Sequence, residues 1–171
     1  GGSLKTGFAE ARGDLVLYSD DDLPFDMDEL QKACRVMRHY EADIVSAYRF
    51  DRTGEGVRRL VYSYVYNHLV QAAFGLRLRD MNFAFKLVRR EAWDAARCII
   101  PPQTLTPSLF LAVFLVHARY RVREIDVQHR ERETGMISIR RWKLLRFCAR
   151  GFRQMLTFRR SLGRWEAGHM C

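Results

Sequence analysis

The chain has 171 residues, 48% hydrophobic, 12% aromatic and 29% charged, enough for one domain with a core of its own and too apolar for wholesale disorder. No segment is low-complexity, and no repeat of solenoid period is present. The formal net charge is +9, yet residues 1–137 hold 20 Lys/Arg against 19 Asp/Glu while residues 138–171 hold 9 against Glu166 alone, so a neutral body carries a basic tail, which disfavours an extended nucleic-acid surface and favours a local contact with phosphates or anionic lipid.

In chain order, Leu4 to Arg12 reads as the end of a helix closed by Gly13. Asp14–Tyr18 is a short apolar run after that glycine and reads as a buried strand. The acidic triplet Asp20-Asp21-Asp22 follows at its carboxyl end, and Pro24 then breaks the chain. Asp26, with Glu29 three residues on, is a capping box for a helix from about Met27 to His39. Asp43–Tyr48 is a second strand, and the strand–helix–strand succession predicts a parallel βαβ unit. After a polar loop, a long helix runs from about Arg58 to Phe74. It is apolar over most of its surface, with a narrow polar stripe at Ser63, Asn67 and Gln71, so it is either deeply buried or laid against lipid or another helix. Asn82–Val88 is a strand and Arg90–Ala96 a short helix; Leu109–Val116 is an apolar run that fits a core helix and is too short to span a bilayer. Tyr120–Val127 is a strand and His129–Gly135 a charged loop.

The tail is helical by periodicity from Arg140 to Phe158. Arg140, Lys143, Arg146, Arg150 and Arg153 recur at steps of three and four; Trp142, Leu145, Ala149, Phe152 and Leu156 form an apolar stripe beside them. Such a basic amphipathic helix fits the headgroup region of a membrane, with Arg140, Arg141, Trp142, Lys143 and Arg146 at the interface; the alternative is docking on the core with a solvated arginine face. The cysteines Cys34, Cys98, Cys148 and Cys171 form no close pair and read as free thiols, and no histidine spacing suits a metal. The first residues show neither a Met nor a signal-peptide pattern, and the sequence reads as part of a longer chain.

The triplet carries the most chemical information. Three adjacent carboxylates repel one another. On an extended strand end residues 20 and 22 share a side, so Asp20 and Asp22 converge on one hard cation while Asp21 faces away. An all-oxygen donor set favours Mg²⁺ or Mn²⁺, which commonly bridge a diphosphate. The carboxyl ends of strands are where open α/β sheets bind ligands. A solvated acidic turn is the bland alternative, and Asp26 with Asp28 is left to helix capping. Asp80 follows Arg77 and Arg79 and either touches a sugar hydroxyl or pairs with a neighbouring arginine; His129, Arg130 and Arg132 sit past a strand end, where they could hold a phosphate or form a plain surface charge cluster.

The run Leu4–Val16, followed by the DxD and Leu23, resembles the family 2 glycosyltransferases of GT-A fold, most closely those of the polyprenyl-phosphate (dolichyl-phosphate mannose) type. Arg79–Lys86 is similar to that family's Asp-x-x-Ser-Gly-Phe-Arg segment, and Val127–Gly135 to its later arginine-rich loop. The resemblance covers about residues 1–140. It implies an α/β fold with a mixed, mainly parallel sheet flanked by helices. Residues 1–138 would form a partial catalytic domain that lacks the family's first strands, and residues 139–171 a membrane-interfacial tail. It further implies inverting transfer from a GDP- or UDP-sugar to a lipid phosphate at the cytoplasmic face of a membrane, with a peripheral association and no nucleic-acid partner. Asp20 and Asp22 would hold the metal, Asp22 and Asp80 would be catalytic, and Lys86, Arg130 and Arg132 would meet donor or acceptor phosphates. Without the family's opening strand and helix, the chain alone is expected to show no turnover. Phe83-Ala84 and Lys86 stand where the family has Ser-Gly and Arg, and Pro107–Phe110 stands where it has acidic positions. Two rival functions remain at this point: a haloacid dehalogenase-type phosphoryl transferase, and a non-enzymatic membrane- or nucleic-acid-binding module.

Overall fold

The computed structural model of the chain describes residues 2–19, 25–49, 57–76, 78–80, 83–101, 103–127, 141–166 and 168, with the backbone alone at 2–5, 57–63 and 141–148. The element order is α1 (Gly2–Glu10), β1 (Leu15–Ser19), α2 (Met27–His39), β2 (Ile44–Arg49), α3 (Val57–Phe74), β3 (Phe85–Arg89), α4 (Arg90–Arg97), α5 (Pro107–His117), β4 (Val122–Val127) and α6 (Arg141–Glu166).

Local chemistry explains most boundaries. Asp26 caps α2 by accepting from the Asp28 N–H at 3.2 Å, while Glu29 turns toward Lys32 at 3.5 Å. Gly75, at φ +67°, ends α3. The next amide, Leu76 N–H, donates back to the Gln71 carbonyl, a bond that needs the left-handed conformation glycine adopts without strain. Pro107 opens α5, where its missing N–H costs nothing, and Ser108 through Leu115 are all buried. The apolar run read as a core helix is one.

The four strands form one sheet in the order β1-β3-β2-β4. β3 runs antiparallel to both β1 and β2, while β2 and β4 are parallel. The expected βαβ unit is corrected accordingly. β1 and β2 do run in the same direction, but β3 lies between them, so the sheet is mixed. Strand–helix–strand order specifies direction and leaves open which strand is inserted later.

Alternation along the strands makes two cores. One face carries Val45, Ala47, Phe85, Leu87, Ile125 and Val127, covered by Ala33 and Met37 of α2. The other carries Val16, Ile44 and Val88 and packs against α3, α4, α5 and α6. Arg90, at the start of α4, donates to the carbonyls of Phe8, Ala11 and Gly13, and the Trp93 ring lies 4.1 Å from that of Phe8. One guanidinium thus satisfies orphan carbonyls at the end of α1 and sets the turn into β1. Cys34 is free but Cys98 is disulfide-bonded, which corrects the reading of four free thiols.

Candidate active site at the carboxyl end of the sheet

Because β1, β2 and β4 run one way, their carboxyl ends lie together, with the amino end of β3 among them. Ser19 pairs with Phe85 and Arg49 with Val127. Asp20–Asp22 follow Ser19 directly, and Arg130 and Arg132 come soon after Val127. Topology therefore brings the chain to one end of the sheet just before each of these segments. The residues themselves, and Arg140, lie outside the described residues. Arg141, Trp142, Lys143 and Arg146 fall in α6, where only the backbone is described. Among the described residues no group of three His, Cys, Asp or Glu side chains could hold a metal ion.

Beside these strand ends lies a compact polar network. Asp80 is 2% exposed, and Arg49 Nε donates to its Oδ2 at 3.0 Å. The arginine it pairs with is therefore the last residue of β2, not its neighbours in sequence. The Arg49 guanidinium also lies 5.6 Å from the centre of the Phe83 ring. The Arg79 side chain donates to the Tyr48 hydroxyl at 2.7 Å and stacks on that ring at 4.7 Å, while its backbone N–H donates to Glu124 Oε1 at 2.8 Å. Burial raises the Glu124 pKa, against the pull of the Arg79 amide and charge.

Lys86 was expected at a phosphate. Here it is fully buried, in register with Tyr18 on β1 and Ser46 on β2. Its Nζ donates to the Phe83 carbonyl at 2.9 Å, and Ser108 Oγ at the start of α5 donates to the same oxygen at 3.2 Å. Burial lowers its pKa from 10.5 to about 8, a shift limited by the negative charges of Asp80 and Glu124. The ammonium thus holds the chain at residues 83–84 from within the fold. Arg49, Tyr48, Glu124 and Ser108 were not singled out from sequence. Arg49 had a usable signal, since it ends a buried strand that runs in the same direction as the strand before the triplet. The others had none.

Residues 1–95 match the sequence profile described as Glycosyl transferase family 2. The glycosyltransferase AglD of Haloferax volcanii is 35% identical over 130 residues, 74% of this chain and 21% of that protein. An undecaprenyl-phosphate 4-deoxy-4-formamido-L-arabinose transferase of Erwinia tasmaniensis is 31% identical over 133 residues, 78% of this chain and 39% of that one. The chain thus spans well under half the length of these relatives. Glucosyl-3-phosphoglycerate synthase from Mycobacterium tuberculosis, solved with phosphoglyceric acid, aligns over 91% of this chain and 53% of its own at TM-score 0.55 and 14% identity, a likeness of fold. With the mixed sheet described above, these similarities make the chain a member of glycosyl transferase family 2 with a GT-A-like α/β fold.

Proposed function

We propose that this chain is the metal-binding and acceptor-side portion of an enzyme that transfers a sugar from a GDP- or UDP-sugar to a lipid phosphate, with inversion at the anomeric carbon. The observation that supports the reading is that β1, β2 and β4 end on the same side of the sheet as the Arg49–Asp80 pair; the acidic triplet and residues 128–132 follow β1 and β4 in the sequence. The relative from Erwinia tasmaniensis is named for an undecaprenyl-phosphate substrate, which supports a lipid phosphate as acceptor.

Asp20 and Asp22 are the residues that would hold Mg²⁺ or Mn²⁺, since their oxygen-only donor set suits a hard cation. When bound, such an ion supplies charge neutralisation to a diphosphate. Arg130 and Arg132 are assigned to phosphate oxygens, where a guanidinium fork binds in bidentate fashion. Asp80 acts by holding Arg49 in place at the sheet end, and Lys86 by holding the Phe83 carbonyl. An acceptor phosphate is already anionic near neutral pH, so no side chain is needed as general base. No helix among the described residues is long and apolar enough to cross a membrane. We assign the basic tail, with Arg140, Arg141, Trp142, Lys143 and Arg146, to a peripheral contact with the anionic cytoplasmic leaflet.

The test is calorimetric titration of Mn²⁺ into the wild-type chain, Asp22→Ala and Asp20→Ala. Affinity is expected to fall at least about tenfold in each variant, as loss of one carboxylate ligand removes both charge and coordination. Unchanged affinity in both would remove the metal site and the mechanism with it.

A further inference from the structure

Residues 78–80 belong to no strand, yet each is tied down by a side chain from a different element. Gln71 of α3 donates from Nε2 to the Leu78 carbonyl at 2.9 Å. Glu124 of β4 accepts the Arg79 N–H at 2.8 Å, and Arg49 of β2 donates to Asp80 at 3.0 Å. The backbone that carries the Arg79 side chain is thus fixed on both sides. The side chain is fixed as well. Its guanidinium lies 4.7 Å from the centre of the Tyr48 ring, and Nη1 donates to the Tyr48 hydroxyl at 2.7 Å. A long side chain normally loses rotamer freedom when it takes up a ligand; here the fold has already imposed much of that order.

Arg79 lacks a countercharge of its own. Across Tyr48, Arg49, Arg79, Asp80, Lys86 and Glu124, three cations face two carboxylates. Asp80 is engaged by Arg49, and Asp80 and Glu124 together offset the buried Lys86 charge. The Arg49 side chain is 11% exposed and Lys86 is fully buried, whereas Arg79 is exposed. Among the described residues no carboxylate pairs with its guanidinium, in contrast to Arg89 and Arg121, which both meet Asp43. One N–H goes to a neutral hydroxyl. The Nε–Nη2 edge, with two parallel N–H groups, remains for an acceptor that offers two oxygens. Tyr48 and Arg79 each precede a member of the Arg49–Asp80 pair, at the end of the sheet where open α/β folds bind ligands. We infer that Arg79, held by Tyr48 and Glu124, is a binding residue for a phosphate group of the reactants, in addition to those assigned above. The inference deepens the lipid-phosphate reading and rests on it for the identity of the anion. The phosphate belongs either to a lipid monophosphate or to a nucleotide diphosphate, and the choice of probe separates the two.

The test is an NMR titration of the isotope-labelled 171-residue chain in EDTA, with geranyl phosphate below its micelle concentration as the monoester and UDP as the diphosphate. Amide and arginine Nε–Hε shifts report binding. The wild-type chain is expected to bind geranyl phosphate with the Arg79 Nε–Hε signal among those that move. Arg79→Gln is expected to weaken that binding about tenfold, and Arg79→Lys several-fold, because lysine keeps the charge without the fork. Glu124→Gln keeps an oxygen for the Arg79 N–H and removes a negative charge that opposes an anion. It is expected to bind several-fold more tightly, a gain that a folding defect cannot imitate. Wild-type affinity for both probes in Arg79→Gln overturns the inference, as does a Glu124→Gln variant that binds no more tightly than wild type. If geranyl phosphate binds the wild type and Arg79→Gln changes nothing, the lipid-phosphate reading stands and Arg79 alone is ruled out. If only UDP is weakened, Arg79 is upheld as a phosphate contact and the lipid acceptor is overturned as its source. EDTA keeps Asp20 and Asp22 out of this titration, so failure of the metal site is read separately, with Mn²⁺.

Discussion

Lys86 is a charge inside the fold, and its consequence is a pH dependence with a definite sign. Its pKa falls from 10.5 to about 8 in the folded chain, so between those values the unfolded chain binds the proton more tightly. Folding stability from this group therefore rises as pH climbs from about 8 toward 10.5, and below about 8 the full cost of the buried charge is present. A lowering of this size corresponds to a free energy on the order of 3 kcal/mol. Lys86→Met should abolish this dependence and leave the chain at least as stable near neutral pH, because a buried charge replaced by an apolar chain of similar length loses its desolvation cost. Urea unfolding at about pH 7 and about pH 10 measures both variants. Parallel pH profiles would show that Lys86 does not carry the shift.

The Arg49–Asp80 pair behaves differently, because its two charges are in direct hydrogen-bonded contact, whereas Lys86 Nζ donates to a neutral carbonyl. The side chains are 11% and 1% exposed at 3.0 Å, so removal of one leaves the other buried. Asp80→Asn and Arg49→Met should each cost about 3 kcal/mol, and the double variant clearly less than their sum. Additive losses in a double-mutant cycle would mean that the pair is not coupled. Neither behaviour was legible in the sequence. Asp80 sits beside two arginines in the chain, yet its partner is 31 residues away. Lys86 carries no local mark of burial, because it sits in a weakly alternating strand whose neighbours in the sheet are set by topology.

At the scale of elements, helices were legible and strand neighbours were not. α2 begins where its cap stands, and α5 lies where its apolar run lies, because those signals are local. The insertion of β3 between β1 and β2 depends on pairing across the chain. α6 shows what periodicity alone leaves open. The stripe through Ala149, Phe152 and Leu156 is the exposed one, whereas Met155, Phe158 and Leu162 are buried in the core. Phe158 stacks on Phe110 at 4.5 Å, and Gln154 Nε2 donates to the Gln103 carbonyl at 3.0 Å while its Oε1 accepts from the Leu105 N–H at 2.9 Å. The helix therefore has two apolar faces, one docked and one free. Phe158→Ala should cost about 3–5 kcal/mol by leaving a cavity, while Phe152→Ser should change stability by less than about 0.5 kcal/mol. Thermal or urea unfolding distinguishes the two. Equal costs would place both residues in the core.

Over the whole molecule, one sheet divides two cores, and the carboxyl ends of β1, β2 and β4 lie where that division ends. The strand that leads to the triplet was legible, because a short apolar run after a glycine reads as a buried strand, and the proposed site at its carboxyl end follows from that reading. The network that shapes the edge was not, because Tyr48, Arg79, Glu124, Arg49 and Asp80 meet only once the strands are paired. This architecture implies a gradient of local stability. β3 is bonded on both sides and covered on both faces, with Phe85, Lys86, Leu87 and Val88 all between 0% and 2% exposed. Among the described strands β1 is bonded only to β3, and its Leu15 is 39% exposed. Hydrogen exchange should therefore be slowest in β2, β3 and α5, and the amides of β1 that do not face β3 should exchange at least about a hundredfold faster, since opening an outer strand exposes less apolar surface. The acidic triplet would then follow the more mobile strand, while Arg49, Asp80 and Lys86 belong to the rigid one. Equal protection in β1 and β3 would contradict that division and would put both sides of the candidate site on one rigid body.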